Sequence, residues 1–351
     1  MGRRPLQHIS ILALLMSATT ISVATGTPQS TPEARVRAFI ADYFQRHGQS
    51  TRVIDAGDFT AWQSVIDGLD QAHFIAGAHS GLGNSMSNKA DHHPDTEKIT
   101  GSTAENEGVQ IQTYDPEASP TRYYEYDLRQ VSGDWRIQSL RGYVESPDEP
   151  FMTPAQRERF QDPEIHALRR LSREDAGFDG NSLFSRKVEI RRVGTLNVST
   201  GVLVVGDLGY DPEILGPLGQ RVVPGQYPVE ISVADKHVAA LRVLLGSQPA
   251  VKWAPADMGK GSNVVGVDAG NVSISDVSAL LTIKTRQKEK QFEKFAQGAN
   301  DLTAAMMLTL TGPNDCVVAF SGYGDGEYPV YWGLDRAGKP SVLLVDMLVL
   351  R

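Results

Sequence analysis

The pentad Gly225-Gln226-Tyr227-Pro228-Val229 returns later in the chain as Gly326-Glu327-Tyr328-Pro329-Val330, and each copy runs into an alternating apolar stretch that ends at Asp235 or Asp335. Glycine lets the backbone turn sharply, the aromatic ring packs beside the turn, and proline opens a strand where its missing N–H is harmless. Each copy therefore reads as a turn entering an edge strand. A chain built this way must form β-structure at both places around the same local design. Neither copy carries a Ser/His/Asp, Cys/His or glycine-rich phosphate arrangement, so the repeat speaks for architecture and not for a reaction.

At 351 residues the chain exceeds what one hydrophobic core usually organises, and two domains are expected. A formal net charge of -8 argues against nucleic acid or an anionic membrane surface as partner, because both favour basic patches. The N-terminus adds a compartment. Arg3 and Arg4 precede an apolar run from Ile9 to Ala24 that is broken by Ser17, Thr19, Thr20 and Ser22 and exits at Ser22-Val23-Ala24. This predicts a secretory signal over residues 1–24 with cleavage near Ala24, a periplasmic or secreted product, and no stable membrane anchor after cleavage. The one cysteine, Cys316, cannot form an internal disulfide, and its run Cys316-Val317-Val318-Ala319-Phe320 marks it as a small buried hydrophobe.

Thr31-Pro32 opens a helix, threonine as cap and proline at the first position, with Val36, Phe39, Ile40, Tyr43 and Phe44 on one face and Gly48 as its end. Trp62, Val65, Ile66 and Leu69 mark a second helix. Gly77 to Gly108 is poor in apolar anchors and reads as a long loop. Strands follow at Val109–Tyr114, Tyr123–Val131 and Trp135–Val144, the last two joined at Ser132-Gly133-Asp134. Helices followed by an antiparallel meander give an α+β fold. With the Gly133-Asp134-Trp135-Arg136-Ile137 strand and the helix after Thr153-Pro154, residues 31–145 resemble the nuclear-transport-factor-2-like fold in the versions found among bacterial immunity proteins. That resemblance implies a curved sheet wrapped by helices around a cone-shaped pocket, a scaffold used by enzymes and binding proteins alike.

Residues 146–189, rich in proline and charge, are expected to form a linker with a connecting helix. Beyond them Val198–Val205, Tyr227–Val233 and Val238–Leu245 read as strands, Ser275–Thr311 as one or two helices, and Cys316–Phe320, Tyr328–Leu334 and Val342–Leu350 as strands again. The motifs Gly201-Val202-Leu203-Val204-Val205-Gly206-Asp207, Pro224 to Val229, Gly266-Val267-Asp268-Ala269-Gly270, Ser321 to Asp335 and Val345-Asp346 are similar to those of domain of unknown function 4241 over residues 190–351. The resemblance implies a β-rich α+β domain with inserted helices, and brings no reaction, cofactor or catalytic residue. Leu208 stands where proline is often expected after the first acidic residue.

Three residue groups could carry chemistry. His73, His79, His92 and His93, with Asp91 and Asp95, could close on zinc, yet their spacing fits no short metal motif, and a solvated polar loop is the reading favoured. Asp207, Asp268, Asp325, Asp335 and Asp346 lie beside glycine turns and could converge on calcium, although such aspartates usually hydrogen-bond nearby backbone N–H groups. Tyr323, Tyr328, Tyr331 and Trp332, joined by Tyr227 and Trp253, could anchor an interface together with Asp325. Tyr328 and Trp332 share one strand face and Tyr331 the other. Tyr123, Tyr124, Tyr126 and Trp135 are expected along the inner curve of the first sheet, with Asp127 as a surface carboxylate or the polar group of a pocket. No cofactor is expected. The function expected is exported, non-enzymatic protein binding, with toxin immunity as its specific form. A small-molecule-binding protein, hydrolase or isomerase using the N-terminal pocket is the alternative.

Overall fold

The computed structural model describes residues 31–82, 89–105, 107–118, 121–161, 175–185, 187–209, 216–258, 262–298 and 301–350. The expected signal, 1–24, lies outside them. Among the described residues no helix is long and apolar enough to cross a membrane. The chain divides into two compact units, one built from the residues before 120 and from Tyr124–Gly142, the other from Pro120–Tyr123 and from Tyr143 onward.

In the first unit, helix α1 (Pro32–Asp55) starts where the threonine cap places it, the Thr31 side chain accepting from the Ala34 N–H at 3.1 Å. Val36, Phe39, Ile40 and Tyr43 are buried, but Phe44 is exposed. Gly48 does not end the helix. Burial of His47 and Ser50 on either side of it carries α1 on to Asp55, against a helix cost of about 1 kcal/mol for one glycine. Helix α2 (Phe59–His73) is capped by Asp58, which accepts from Ala61 N–H at 2.9 Å, and buries Val65, Ile66 and Leu69.

A four-stranded sheet follows in the order β1 (Lys98–Glu105), β2 (Gly108–Tyr114), β3 (Tyr123–Val131), β4 (Asp134–Tyr143). Strand β1 occupies part of the stretch expected as a loop. Its side chains are mostly exposed and give no apolar alternation to read, and it is held by backbone pairing to β2 from Lys98↔Tyr114 to Glu105↔Gly108. The β3–β4 turn has Ser132 and Gly133 at φ 54° and 84°, the left-handed pair that matches strand twist. Tyr124, Tyr126 and Leu128 pack with Ile111, Ile137 and the helix residues Phe39 and Leu69 into one core, so the inner face of the sheet is filled. Trp135 packs against this core only in part.

The second unit contains helix α3 (Pro154–Gln161), strands β5 (Glu189–Val198), β6 (Leu203–Gly206), β7 (Gly216–Pro217), β8 (Gly225–Ala234), β9 (His237–Leu244), β10 (Lys252–Pro255), β11 (Val264–Val267) and β12 (Asn271–Asp276), helices α4 (Val277–Thr282) and α5 (Thr285–Ala296), and strands β13 (Ala305–Leu308), β14 (Cys316–Phe320), β15 (Gly326–Leu334) and β16 (Pro340–Asp346). One sheet has the order β10-β15-β16-β9-β8-β5, with β11 also paired to β15. A second has the order β13-β14-β12-β6-β7.

The two sheets share a core. Val317 and Ala319 of β14 meet Ile231, Leu241, Leu343 and Val345 from the larger sheet, while Cys316, Val318 and Phe320 point the other way onto Leu280 and Phe295 of the helices. Strands β6 and β14 are thus apolar on both faces, which explains their lack of polar alternation, whereas β12 alternates buried Asn271, Ser273 and Ser275 with Val272 and Ile274. In the 146–189 stretch, α3 lies where a helix is expected after Thr153-Pro154, Phe151, Met152 and Phe160 pack under the helices, and Leu183 and Phe184 cover the outer face of the larger sheet. Two other stretches differ from expectation. The Leu302–Leu310 run, expected to be helical, instead supplies β13, paired to β14 from Ala305↔Ala319 to Leu308↔Cys316. The single strand expected at Val198–Val205 is divided between β5 and β6.

The repeated pentad forms the same device twice. The Tyr227 hydroxyl donates to the Val223 carbonyl, and the Tyr328 hydroxyl lies 2.7 Å from the Gly324 carbonyl, each four residues back, so each ring closes the turn that feeds its strand. Neither strand is an edge. Both β8 and β15 are internal, and proline is tolerated because pairing to the second neighbour begins one residue later, at Val229↔Val243 and Val330↔Val345.

Candidate functional site

The loop between β14 and β15 and the turn after β16 enclose an open groove of about 570 Å³ lined by Tyr323, Asp325, Gly326, Glu327, Tyr328, Met347, Leu348 and Val349. Its walls approach closely. Gly322 is at φ 49°, and a Cβ there would lie 2.6 Å from the Met347 carbonyl oxygen, so the residue must be glycine on both counts. Tyr328 closes the loop from beneath, its hydroxyl shared between the carbonyls of Ser321 at 2.9 Å and Gly324 at 2.7 Å. Burial pushes its phenol above the ordinary tyrosine range.

The opposite wall is held by Asp346, whose carboxylate accepts from Leu348 N–H at 2.9 Å. This bond holds Leu348 at φ 57°, a backbone region that costs a side-chain-bearing residue about 1 kcal/mol or more. Burial, only partly offset by that N–H, raises the Asp346 carboxyl above its usual range.

At the rim, Tyr323 is 67% exposed and its ring lies 4.6 Å from the His237 ring on the β8–β9 hairpin. Asp325 and Glu327 are both exposed. Asp325 accepts one bond, from Gly270 N–H at 3.2 Å, and Glu327 forms no side-chain hydrogen bond or ion pair among the described residues. The groove therefore offers an exposed aromatic ring and two carboxylates with acceptor capacity to spare, above apolar residues of which Met347 and Val349 are buried and Leu348 is half-buried.

Of the interface residues read from the sequence, Tyr323, Asp325 and Tyr328 come together here and Tyr331 and Trp332 do not. Trp332 is 1% exposed in the core between the sheets. Tyr331, on the opposite strand face, stacks on Phe178 at 3.8 Å. Met347, Leu348 and His237 escaped sequence reasoning, since nothing local marks them.

Of the aspartates beside glycines, Asp207 and Asp325 both accept from N–H groups of the 268–270 turn that carries Asp268, whereas Asp335 and Asp346 each bond within their own turns. Asp207 is fully buried, accepting from the N–H groups of Gly209, Asp268 and Ala269 and from the Asn271 amide. Asp335 accepts from Ala337 and Lys339 N–H groups in its own turn. Among the described residues no group of three or more His, Cys, Asp or Glu side chains could hold a metal ion.

The first unit holds a buried polar centre instead. His92, expected in a solvated loop, is 2% exposed, enclosed by Tyr124 at 4.2 Å, Tyr43 at 4.7 Å and Phe39 at 5.3 Å. Its Nδ1 lies 2.8 Å from Glu97 Oε2, and Thr113 and Tyr126 donate to Glu97 Oε1 at 2.5 and 2.7 Å. Burial, and next the charge of Glu97, push the Tyr124 and Tyr126 phenols well above their ordinary range. The other histidines lie in other pairings: His73 with Asp42 at 3.1 Å, His79 with Asp70 at 2.9 Å, and His93 against the Phe44 ring at 5.1 Å.

Asp127 lies on the opposite face of β3, in an open groove lined also by Glu105, Glu107 and Arg129. Burial alone would raise its carboxyl, but hydrogen bonds from Ser139 and Gln110 and the Arg141 guanidinium together hold it below the usual range. Glu97 and Thr113 could not be read from the sequence as partners of His92, because strand pairing brings them together.

No curated protein and no solved structure matches the chain. Residues 196–345 match the family model described as protein of unknown function (DUF4241), a match that takes in the 321–328 wall of the groove and ends one residue before Asp346.

Proposed function

We propose that the chain is an exported, non-enzymatic protein-binding protein whose task is to neutralise a toxin. The observation that carries the reading is the open groove of the second unit, where the exposed Tyr323 ring stands beside the exposed Asp325 and Glu327. Exposed aromatic anchors are features of protein interfaces. The net charge of -8 and the signal-like segment at residues 1–24 agree with a basic partner met outside the cytoplasm. The two helices over a four-stranded sheet agree with a nuclear-transport-factor-2-like first unit of the immunity type.

A second reading draws on one observation, the buried His92–Glu97 pair, which has the residue types of a general acid–base couple and would make the first unit a hydrolase, an isomerase or a small-molecule binder. Against it, aromatic rings press on His92 from several sides, and Glu97 already engages His92, Thr113 and Tyr126. The deciding experiment is affinity capture with tagged residues 25–351 from envelope extracts, washed at moderate salt and read by mass spectrometry. A stoichiometric protein is expected. An empty capture would remove the binding reading and leave the first unit as the place to look for a ligand.

A further inference from the structure

We infer that the open edge of β1 pairs with the same edge of a second copy of this chain, joining two four-stranded sheets into one across a two-fold axis at Ser102. The first sheet ends differently on its two sides. Beyond β4 the chain covers its own edge, where Phe74 bridges Ile137 and the Ile75 N–H donates to the Ile137 carbonyl at 3.0 Å. Beyond β1 no strand follows among the described residues, and β1 pairs with β2 alone. Such an edge presents a row of backbone donors and acceptors, which proteins commonly blunt with charge, proline or a covering segment. The stretch from Ile99 to Ala104 carries no charge and no proline, and most of it is exposed. Its charges stand at the two ends. Lys98 and Glu105 are both exposed, and neither makes a side-chain hydrogen bond or ion pair among the described residues.

The register selects the occupant. Residues directly opposite in a sheet share a face, and Thr100 is extra to the β1–β2 ladder, because Ile99 pairs with Thr113 and Gly101 with Gln112. With Thr100 set aside, Ile99, Ser102 and Ala104 share the face of Thr113, Ile111 and Val109, while Lys98, Gly101, Thr103 and Glu105 share the other. A second copy running antiparallel about Ser102 then sets Lys98 opposite Glu105, Ile99 opposite Ala104, Gly101 opposite Thr103 and Ser102 opposite itself. Every pair lies on one face. The apolar residues meet, and the two ends become two equivalent pairs of opposite charge, the arrangement that stabilises cross-strand neighbours. Without the bulge Lys98 and Glu105 would fall on opposite faces, and no antiparallel register could pair them. A two-fold contact also uses up both edges, so it closes at two copies and leaves no strand for a filament. It draws on the first unit alone and stands apart from the protein-binding reading of the second.

The test is sedimentation velocity on the chain from residue 25 to 351 over a concentration series, with the variants Lys98→Glu and Glu105→Lys. The parent is expected to dimerise in the micromolar range. Each single reversal sets like charges against each other at both ends of the ladder and should weaken the dimer by about tenfold or more. An equal mixture of the two variants should regain the parent's affinity, because one then carries two negative ends and the other two positive ones. Register is read separately. Ser102→Cys puts two Cβ atoms about 5 Å apart and should crosslink when oxidised with copper phenanthroline, whereas Lys98→Cys, whose two copies lie at opposite ends of the ladder, should not. The one native cysteine, Cys316, is buried and does not interfere. The substituted side chains are exposed, so equal thermal midpoints are expected and confirm that each variant folds. A parent still monomeric at about 0.5 mM would overturn the inference. So would a dimer that both single reversals leave intact, or one that crosslinks through Lys98→Cys and not through Ser102→Cys.

Discussion

Asp207 and Asp325 stand beside similar glycine turns and have opposite surroundings. Asp207 is fully buried with four donors around its two oxygens, so Asp207→Ala should leave buried N–H groups unpaired and lower stability by about 2 to 4 kcal/mol, read as a fall in thermal midpoint. Asp325→Ala, exposed with one backbone donor, should change stability by no more than about 0.5 kcal/mol. Cys316 is the opposite case, a residue whose role the sequence made plain because apolar neighbours follow it. Burial, and secondly Asp315, push its thiol far above the usual range. An aromatic disulfide reagent should therefore find no thiol in the native protein and one equivalent after denaturation. Rapid native labelling would contradict the burial. Leu348 was not legible in the same way. Its left-handed backbone is imposed by Asp346 and by the close wall at Gly322, and leucine has no preference that announces it.

At the scale of elements, the β8–β9 hairpin turns through Asp235 and Lys236 at φ 48° and 63°, a geometry that glycine adopts without strain. Lys236→Gly should raise stability by about 0.5 kcal/mol, the relief of strain exceeding the added freedom of the unfolded chain. The strands also set the pH response. Asp127, below its usual range through Ser139, Gln110 and Arg141 despite burial, contributes stability above the ordinary carboxylate range that is lost as pH falls through its lowered value. Asp127→Asn should make the acid side of the stability profile shallower. Asp346 has the opposite sign. Its raised carboxyl contributes stability at acid pH that is lost as pH rises, so Asp346→Asn, which keeps an acceptor for Leu348 N–H, should melt higher than the parent at pH 7 and lose that advantage near pH 4. Periodicity located α2, β3, β4 and the start of α1 closely, because each has one buried face, but it ended α1 at Gly48 where the helix runs on to Asp55. It failed at residues 302–310, an apolar run without clear period, where the open edge of β14 decides for strand.

At the scale of the whole molecule, among the described residues the three cores of the second unit draw only on residues from Phe151 onward. A fragment covering 143–351 should therefore fold alone with a single cooperative transition and a β-rich circular dichroism spectrum. A fragment without a cooperative melt would show that the first unit is required for its stability. The α+β class, the β-rich character of the second half and its family resemblance could be read from the sequence, because they rest on alternation, turn chemistry and contiguous motifs, all local properties. The pentad was legible as a turn and a strand, but its place inside the sheets was not, since an edge is defined by neighbours far along the chain. The same limit applies to both sites. Only tertiary structure brings Glu97 and Thr113 to His92, sends Tyr331 and Trp332 away from Tyr323, and sets Leu348 opposite Asp325 and Glu327. Local sequence determines what each segment can form, and burial and cross-strand pairing between distant segments determine which of its side chains remain available to a partner.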